Sequence, residues 1–291
     1  MPTQEDIQKD NEVTLHSDEM LLFHYTSLES FHGMTDTGRM WASHIRYLND
    51  TSEQLLMWKL VQNRIEERLQ NATDDLRERL LHWKSVTTVP QNEDIYVISF
   101  SNDGGDRLSQ WRGYGANAGI SIGFSRKALE RKCAEFTTKA FKPPGKTGAA
   151  HLFPVKYVDT SGDEQTNKLI DIFLDRQPTD LRSGKYTIEQ AFSRAISYFS
   201  ATLKHIAFSD EQEYRIIIFD FEGGQTPSYR ARKALWIPYI ELDIRDAEPS
   251  KIIVGPSPHK ENTVVALKHM LVSRNSKEIE VIATQMPYRD W

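Results

Sequence analysis

Three short clusters combine residue types that act together on a flat, charged ligand. They are Phe23-His24-Tyr25-Thr26-Ser27, Ser109-Gln110-Trp111-Arg112-Gly113-Tyr114 and Glu211-Gln212-Glu213-Tyr214-Arg215. Glu213 precedes the apolar run Arg215-Ile216-Ile217-Ile218-Phe219, which reads as a central strand. A carboxylate at the mouth of such a strand is partly desolvated, so it can hold a sugar hydroxyl and answer positive charge developing next to it. The plainer alternative is an acid in the turn Asp210-Glu211-Gln212-Glu213, paired with Arg215.

His24 lies in a short apolar strand that ends in the hydroxyls of Thr26 and Ser27, which suit a ribose or an amide; a hydrogen-bonded core histidine is the alternative. Trp111, Arg112 and Tyr114 surround Gly113. Aromatic faces stack on flat rings and a guanidinium binds pyrophosphate with forked donors, although a strand edge with core aromatics would read the same way. Arg46-Tyr47-Leu48-Asn49-Asp50 repeats the combination of a ring with polar neighbours at a strand end. Metal chemistry has less support. His24, Asp50, Glu53 and Glu213 are hard-cation ligand types, but no pair has the spacing of a ligand motif. A metal-dependent nuclease built on Asp94, Glu211, Glu213 and Arg215 stays open. Basic residues Arg126, Lys127, Arg131, Lys132, Lys139, Lys142 and Lys146 would track a phosphate backbone or form a solvated face.

The elements that must position these residues are legible by periodicity. Strands are expected over 21–26, 40–47 (with Trp41 and Ile45 inward), 95–101, 119–124, 153–158, 214–221, 234–242, 252–255 and 279–283. The serine–aromatic cluster is placed on a strand as well. Helices are expected over 53–70, 74–83, 163–174, 187–205 and 262–272, with short ones after Ser27 and Ser125. Strands dominate both ends and helices are inserted between them. The expectation is an α+β fold on antiparallel strands, with a polar extension over 1–20 and a single domain over 21–291.

The 291 residues, 39% of them hydrophobic and 26% charged, are ordinary globular usage. A net charge of −5 argues against binding nucleic acid through bulk charge. The lone Cys133 rules out a disulfide framework and fits a reducing cytosol. With neither a membrane-spanning run nor a signal peptide, the expected location is the cytoplasm.

The chain resembles a bacterial family of unknown function, numbered 2971 among such families. The resemblance runs through His24-Tyr25-Thr26-Ser27, Arg46-Tyr47-Leu48-Asn49-Asp50, the segment 109–114, the segment 208–215, Ile252 with Val254-Gly255-Pro256, and Pro287-Tyr288-Arg289. The order of motifs is also similar to the His-Tyr-Glu class of ADP-ribosyltransferases. That resemblance implies split antiparallel sheets with inserted helices and transfer of ADP-ribose from NAD, as substrate, to a nucleic acid or protein acceptor. It assigns catalysis to Glu213 and His24. Binding falls to Tyr25, Thr26, Arg46, Tyr47, Asn49, Asp50, Ser109, Trp111, Arg112, Tyr114 and Arg215, with no metal. The spacing around Ser109 departs from the class and leaves open whether Trp111 or Tyr114 is the second ring wall. A toxin or phage-defence role, with an antitoxin as partner, follows from the resemblance alone. A nucleotide sensor or interaction domain, binding without reacting, is the non-enzymatic alternative.

Overall fold

The computed structural model describes residues 20–48, 52–87, 95–114, 119–140, 147–175, 188–221, 226–232, 234–274 and 279–287. In chain order the elements begin with β1 (Leu21–Thr26), α1 (Leu28–Thr37), β2 (Arg39–His44), a 3-10 turn (Ile45–Tyr47), α2 (Ser52–Leu69), α3 (Asp74–Val86) and β3 (Ile95–Ser101). Next come α4 (Leu108–Tyr114), β4 (Ile120–Ser125), α5 (Arg126–Ala140), β5 (Thr147–Pro154), β6 (Lys156–Val158), α6 (Glu164–Leu174) and α7 (Ile188–Thr202). The chain continues through β7 (Leu203–His205), a second 3-10 turn (Ile206–Glu211), β8 (Glu213–Phe221), β9 (Ser228–Arg232) and β10 (Leu235–Asp243). β11 (Lys251–Val254), α8 (Lys260–Ser273) and β12 (Glu280–Ala283) complete the series. The class is α+β, as expected. Among the described residues, no helix is long and apolar enough to cross a membrane.

The described residues fall into two compact units, each assembled from stretches distant in sequence. The first comprises Met1–Met40, Phe100–Glu135 and Asp243–Trp291; the second comprises Trp41–Ser99 and Phe136–Leu242.

In the first unit β4 is central. It runs antiparallel to β1, with Leu21 opposite Ser125 and Thr26 opposite Ile120, and antiparallel to β11 on its other side. β12 extends this sheet parallel to β11, so the antiparallel expectation needs that exception, together with the small parallel pair β6–β7. Helix α1 starts where the Ser27 side chain accepts from the Ser30 amide, and stops at Gly38 in the left-handed region. Phe23, Tyr25, Trp111 and Ile253 form a cluster on one face of the sheet. The Phe23 ring lies against Gly105, whose φ is +82°; a Cβ there would come within 2.3 Å of it. Gly105→Ala should therefore combine backbone strain with overpacking and lose about 2–4 kcal/mol. Chemical denaturation checks this, with Gly113→Ala, in open space, as the control.

In the second unit β8 lies between β5 and β3; β2 follows β3, then β10 and finally β9 at the edge. Three amphipathic helices, α2, α6 and α7, pack with Leu80 and Trp83 of α3 around a separate core. Its members include Met57, Leu60, Ile65, Ile170, Leu174, Phe192 and Ile196.

Several expectations need correction. Segment 40–47 is not one strand: it ends at His44, and residues Ile45–Tyr47 turn as a 3-10 helix. The strand's alternation buries Ala42 and turns Trp41 outward, so Trp41 is 41% exposed, whereas Ile45 is buried. The serine–aromatic segment is helix α4, not a strand. Helix α5, capped by the Ser125 hydroxyl at the Ala128 amide, is fifteen residues long and not short. The expected helix over 187–205 ends at Thr202, and β7 takes its last three residues. Strand β9, with the polar sequence SYRAR, was not expected from periodicity.

Candidate functional site

Glu213 opens β8 directly after Gln212, which ends the 3-10 turn in the left-handed region at φ 45°. Its amide donates to the Tyr157 hydroxyl at 2.8 Å, which fixes the backbone where the strand begins. A strand sends alternate side chains to one face, so Glu213 and Arg215 lie side by side. Arg215 Nε reaches Glu213 Oε1 at 2.7 Å and Nη2 reaches Oε2 at 2.9 Å. The remaining guanidinium arm, Nη1, donates to the Ala201 carbonyl at 3.0 Å. Lys204 of β7 adds a second cation: its Nζ lies 3.2 Å from Glu213 Oε2 and 2.7 Å from Glu211 Oε2. The same ammonium sits 4.9 Å from the centroid of the Phe208 ring. Glu213 is only 6% exposed, and both cations are buried.

Burial alone would push the Glu213 carboxyl upward. The Arg215 charge and hydrogen bonds, with Lys204 and the Ser99 hydroxyl, outweigh it and bring the pKa down to about 2. The group is thus a desolvated carboxylate that stays ionised at neutral pH. Two acids and two cations nearly cancel, which is how four charges are accommodated away from water. Lys204 also bridges the two carboxylates, the position that a metal-dependent alternative would give to a cation. Among the described residues no group of three or more His, Cys, Asp or Glu side chains is arranged to hold a metal ion. Asp50 and Asp94 lie outside the described residues.

The same unit carries Arg46 and Tyr47 on its first 3-10 turn. Arg46 is exposed, and its amide donates to His44 Nδ1 at 3.2 Å. Tyr47 is half-buried, edge-on to the His44 ring at 5.7 Å. Asn49 and Asp50 lie outside the described residues.

The first unit carries the remaining candidates. β1 alternation separates them by face: Tyr25 shares a side with Phe23, whereas His24 and Thr26 point to the other. His24 is half-buried with its ring 5.6 Å from Phe100, and Thr26 is buried. The Tyr25 hydroxyl donates to the Asp103 carboxylate at 3.0 Å and accepts from the Arg107 amide at 3.2 Å. Burial, then the Asp103 charge, pushes its pKa well up, so it stays a neutral phenol. Its ring meets Trp111 edge-on at 4.9 Å. Trp111 is buried; its Nε1 donates to Asp106 Oδ1 at 2.8 Å. Asp106 also accepts from the Thr284 hydroxyl and from the Gln285 amide. Gly255 lets the indole approach, since a Cβ there would stand 2.8 Å from it. Trp111 and Tyr25 thus bind α4 and the 102–107 turn to the sheet, on the face away from His24. Ser109, Arg112 and Tyr114 occupy the exposed side of α4, and Tyr114 is the ring of that segment open to a ligand.

The basic residues of α5 are largely answered by acids of the same unit. Arg126 meets Glu130 at 2.8 Å, Lys132 meets Glu135 at 3.0 Å, and Arg131 donates to the Asp246 carbonyl. Lys142 and Lys146 lie outside the described residues. Sequence reasoning missed Lys204, Tyr157, Asp103 and Asp106. The first two carry no local signal, because they meet Glu213 only through the fold. Asp103 and Asp106 flank the Gly104-Gly105 turn, and their acidic side chains beside that turn were the available hint.

No curated protein and no solved structure matches the chain. Residues 110–216 match the model of a family described as protein of unknown function (DUF2971), a stretch that includes Trp111, Tyr114, Lys204, Glu213 and Arg215. Through that stretch the chain is similar to the family that its own motifs resemble.

Proposed function

We propose that the chain transfers ADP-ribose from NAD to a macromolecular acceptor, nucleic acid or protein, and acts as a toxin or defence effector in the cytoplasm. One observation supports this beyond the order of the motifs: a desolvated carboxylate, Glu213, stays ionised at the opening of a central strand. In the reaction the nicotinamide–ribose C–N bond breaks and its electron pair leaves with nicotinamide. The ribose carbon then bonds to the acceptor nucleophile, which gives up a proton. The sugar passes through an oxocarbenium-like state, and a fixed negative charge beside it lowers the barrier. Lys204 is the longer of the contacts to Glu213, at 3.2 Å against 2.7 and 2.9 Å. It is the contact that a ribose hydroxyl would displace. The resemblance gives His24 and Thr26 the ribose and carboxamide, Tyr47 and Tyr114 the ring, and Arg46 or Arg112 the pyrophosphate.

A second reading has its own support. Arg215, Lys204 and Ser99 together engage the carboxylate from several sides, and Trp111 is packed into a core. Both suit a nucleotide sensor or interaction domain in which Glu213 is structural. Mass spectrometry of nicotinamide released from NAD, with RNA, DNA and protein acceptors, separates the two. Transfer predicts release that EDTA leaves unchanged. It also predicts loss of about a hundredfold in Glu213→Gln, measured below that variant's melting temperature. His24→Ala, outside the ion-pair cluster, should likewise lose turnover while melting close to wild type. No release with any acceptor, or full turnover in folded Glu213→Gln, rejects the transferase reading.

A further inference from the structure

The β9–β10 hairpin carries side chains that neither core nor charged cluster uses. Tyr229 pairs with Pro238 and Trp236 with Ala231, so Tyr229 and Trp236 sit diagonally on one face. Their rings are within 12° of parallel with centroids 6.5 Å apart, and they are 53% and 64% exposed. Arg230 and Arg232 point to the opposite face. The Arg230 guanidinium lies 5.3 Å from the Trp41 ring and 5.8 Å from Tyr239, and donates to the Ser43 hydroxyl at 2.6 Å. Burial, and then the neighbouring Arg232 charge, weaken its hold on its proton. Among the described residues no ion pair joins a carboxylate to either arginine, and the charges that act on Arg230 are those of Arg232 and Tyr239.

We propose that this hairpin is a binding site for single-stranded nucleic acid, with bases stacked on Tyr229 and Trp236 and phosphates against Arg230 and Arg232. Among the described residues β9 is the terminal strand of the sheet, so a polymer lying along its outer edge reaches rings on one side and guanidinium groups on the other. Every base offers a π-face, so exposed rings beside cations make a sequence-tolerant platform. A protein partner also favours Trp, Tyr and Arg. Two arginines on one face of β9, to which no carboxylate is paired among the described residues, match the closely spaced charges of a phosphate backbone. The overall charge of −5 makes the attraction local to the hairpin. The inference stands apart from ADP-ribose transfer and holds whether or not the chain consumes NAD.

Fluorescence anisotropy of labelled oligouridine, oligothymidine and a DNA duplex tests it. The single strands should bind, more tightly than the duplex. Tyr229→Ala and Trp236→Ala should each weaken binding by on the order of tenfold with the salt dependence unchanged. Arg232→Ala should weaken it and reduce the slope of log affinity against log salt by about 0.7, one phosphate contact on a single strand. All three positions are open to solvent, so the variants should melt like wild type. If no oligonucleotide binds, the proposal is wrong and the hairpin is left for a protein partner. Affinities unchanged in all three variants would place the nucleic acid on another surface and equally overturn it.

Discussion

Replacing Arg215 with methionine should destabilise the protein by about 3–5 kcal/mol, because it removes one partner from a buried charge pair and leaves the other uncompensated. Glu213 would keep Lys204 but lose both forked contacts, at 2.7 and 2.9 Å, and the Ala201 carbonyl would lose its donor. For a chain of this size that energy corresponds to roughly 5–8 °C in melting temperature. The acid response should change as well. In the wild type the Glu213 pKa is lowered from 4.5 to about 2. Its contribution is therefore present above the unfolded value and is lost as pH falls from about 4.5 toward 2. Without Arg215, burial dominates and raises that pKa, so the gap between variant and wild type should narrow as the solution is acidified. Urea denaturation at neutral pH and at about pH 3 reads both effects. A loss below about 1 kcal/mol, or a gap that widens in acid, would show that the pair carries little of the fold.

Trp83→Ala should cost about 3–5 kcal/mol as well, through an unfilled cavity and not through charge. Trp83 is fully buried on α3 with its ring 4.6 Å from that of Phe192, inside the core shared by α2, α6 and α7. Leu81, two residues away on the same helix but half exposed, should change stability by no more than about 0.5 kcal/mol when truncated. Denaturation midpoints that fall equally for the two variants would mean that helix propensity, and not packing, dominates this region.

Much of the framework was readable because single elements follow local periodicity. α2 repeats apolar residues every three or four positions, so its buried side could be named as Met57, Leu60, Val61 and Ile65. β3 occupies the residues that its sequence indicates. Reading failed where local pattern and tertiary role diverge. β9 alternates Tyr229 and Ala231 with Ser228, Arg230 and Arg232, but it is a short edge strand in which Tyr229 is the one large apolar side chain, too little for periodicity to reveal it. Residues 108–114 look strand-like by their aromatics, yet form a short helix whose Gln110 and Trp111 alone are buried. The pairing of Glu213 with Arg215 was legible as two positions on one strand face. Its burial and the contribution of Lys204 were not, since Lys204 arrives from another strand.

The pairing of β4 with β11 also bears on how the chain is made. β4 is buried along its whole length and meets β1 on one side and β11 on the other. Roughly 125 residues separate it from β11, so at about 5–20 residues per second a ribosome needs on the order of 6–25 s to deliver the second partner. Throughout that interval the newly made chain presents an unpaired apolar edge, which invites pairing with a neighbouring nascent chain. Soluble yield should therefore rise with lower expression temperature and with chaperones that shield exposed strands during synthesis.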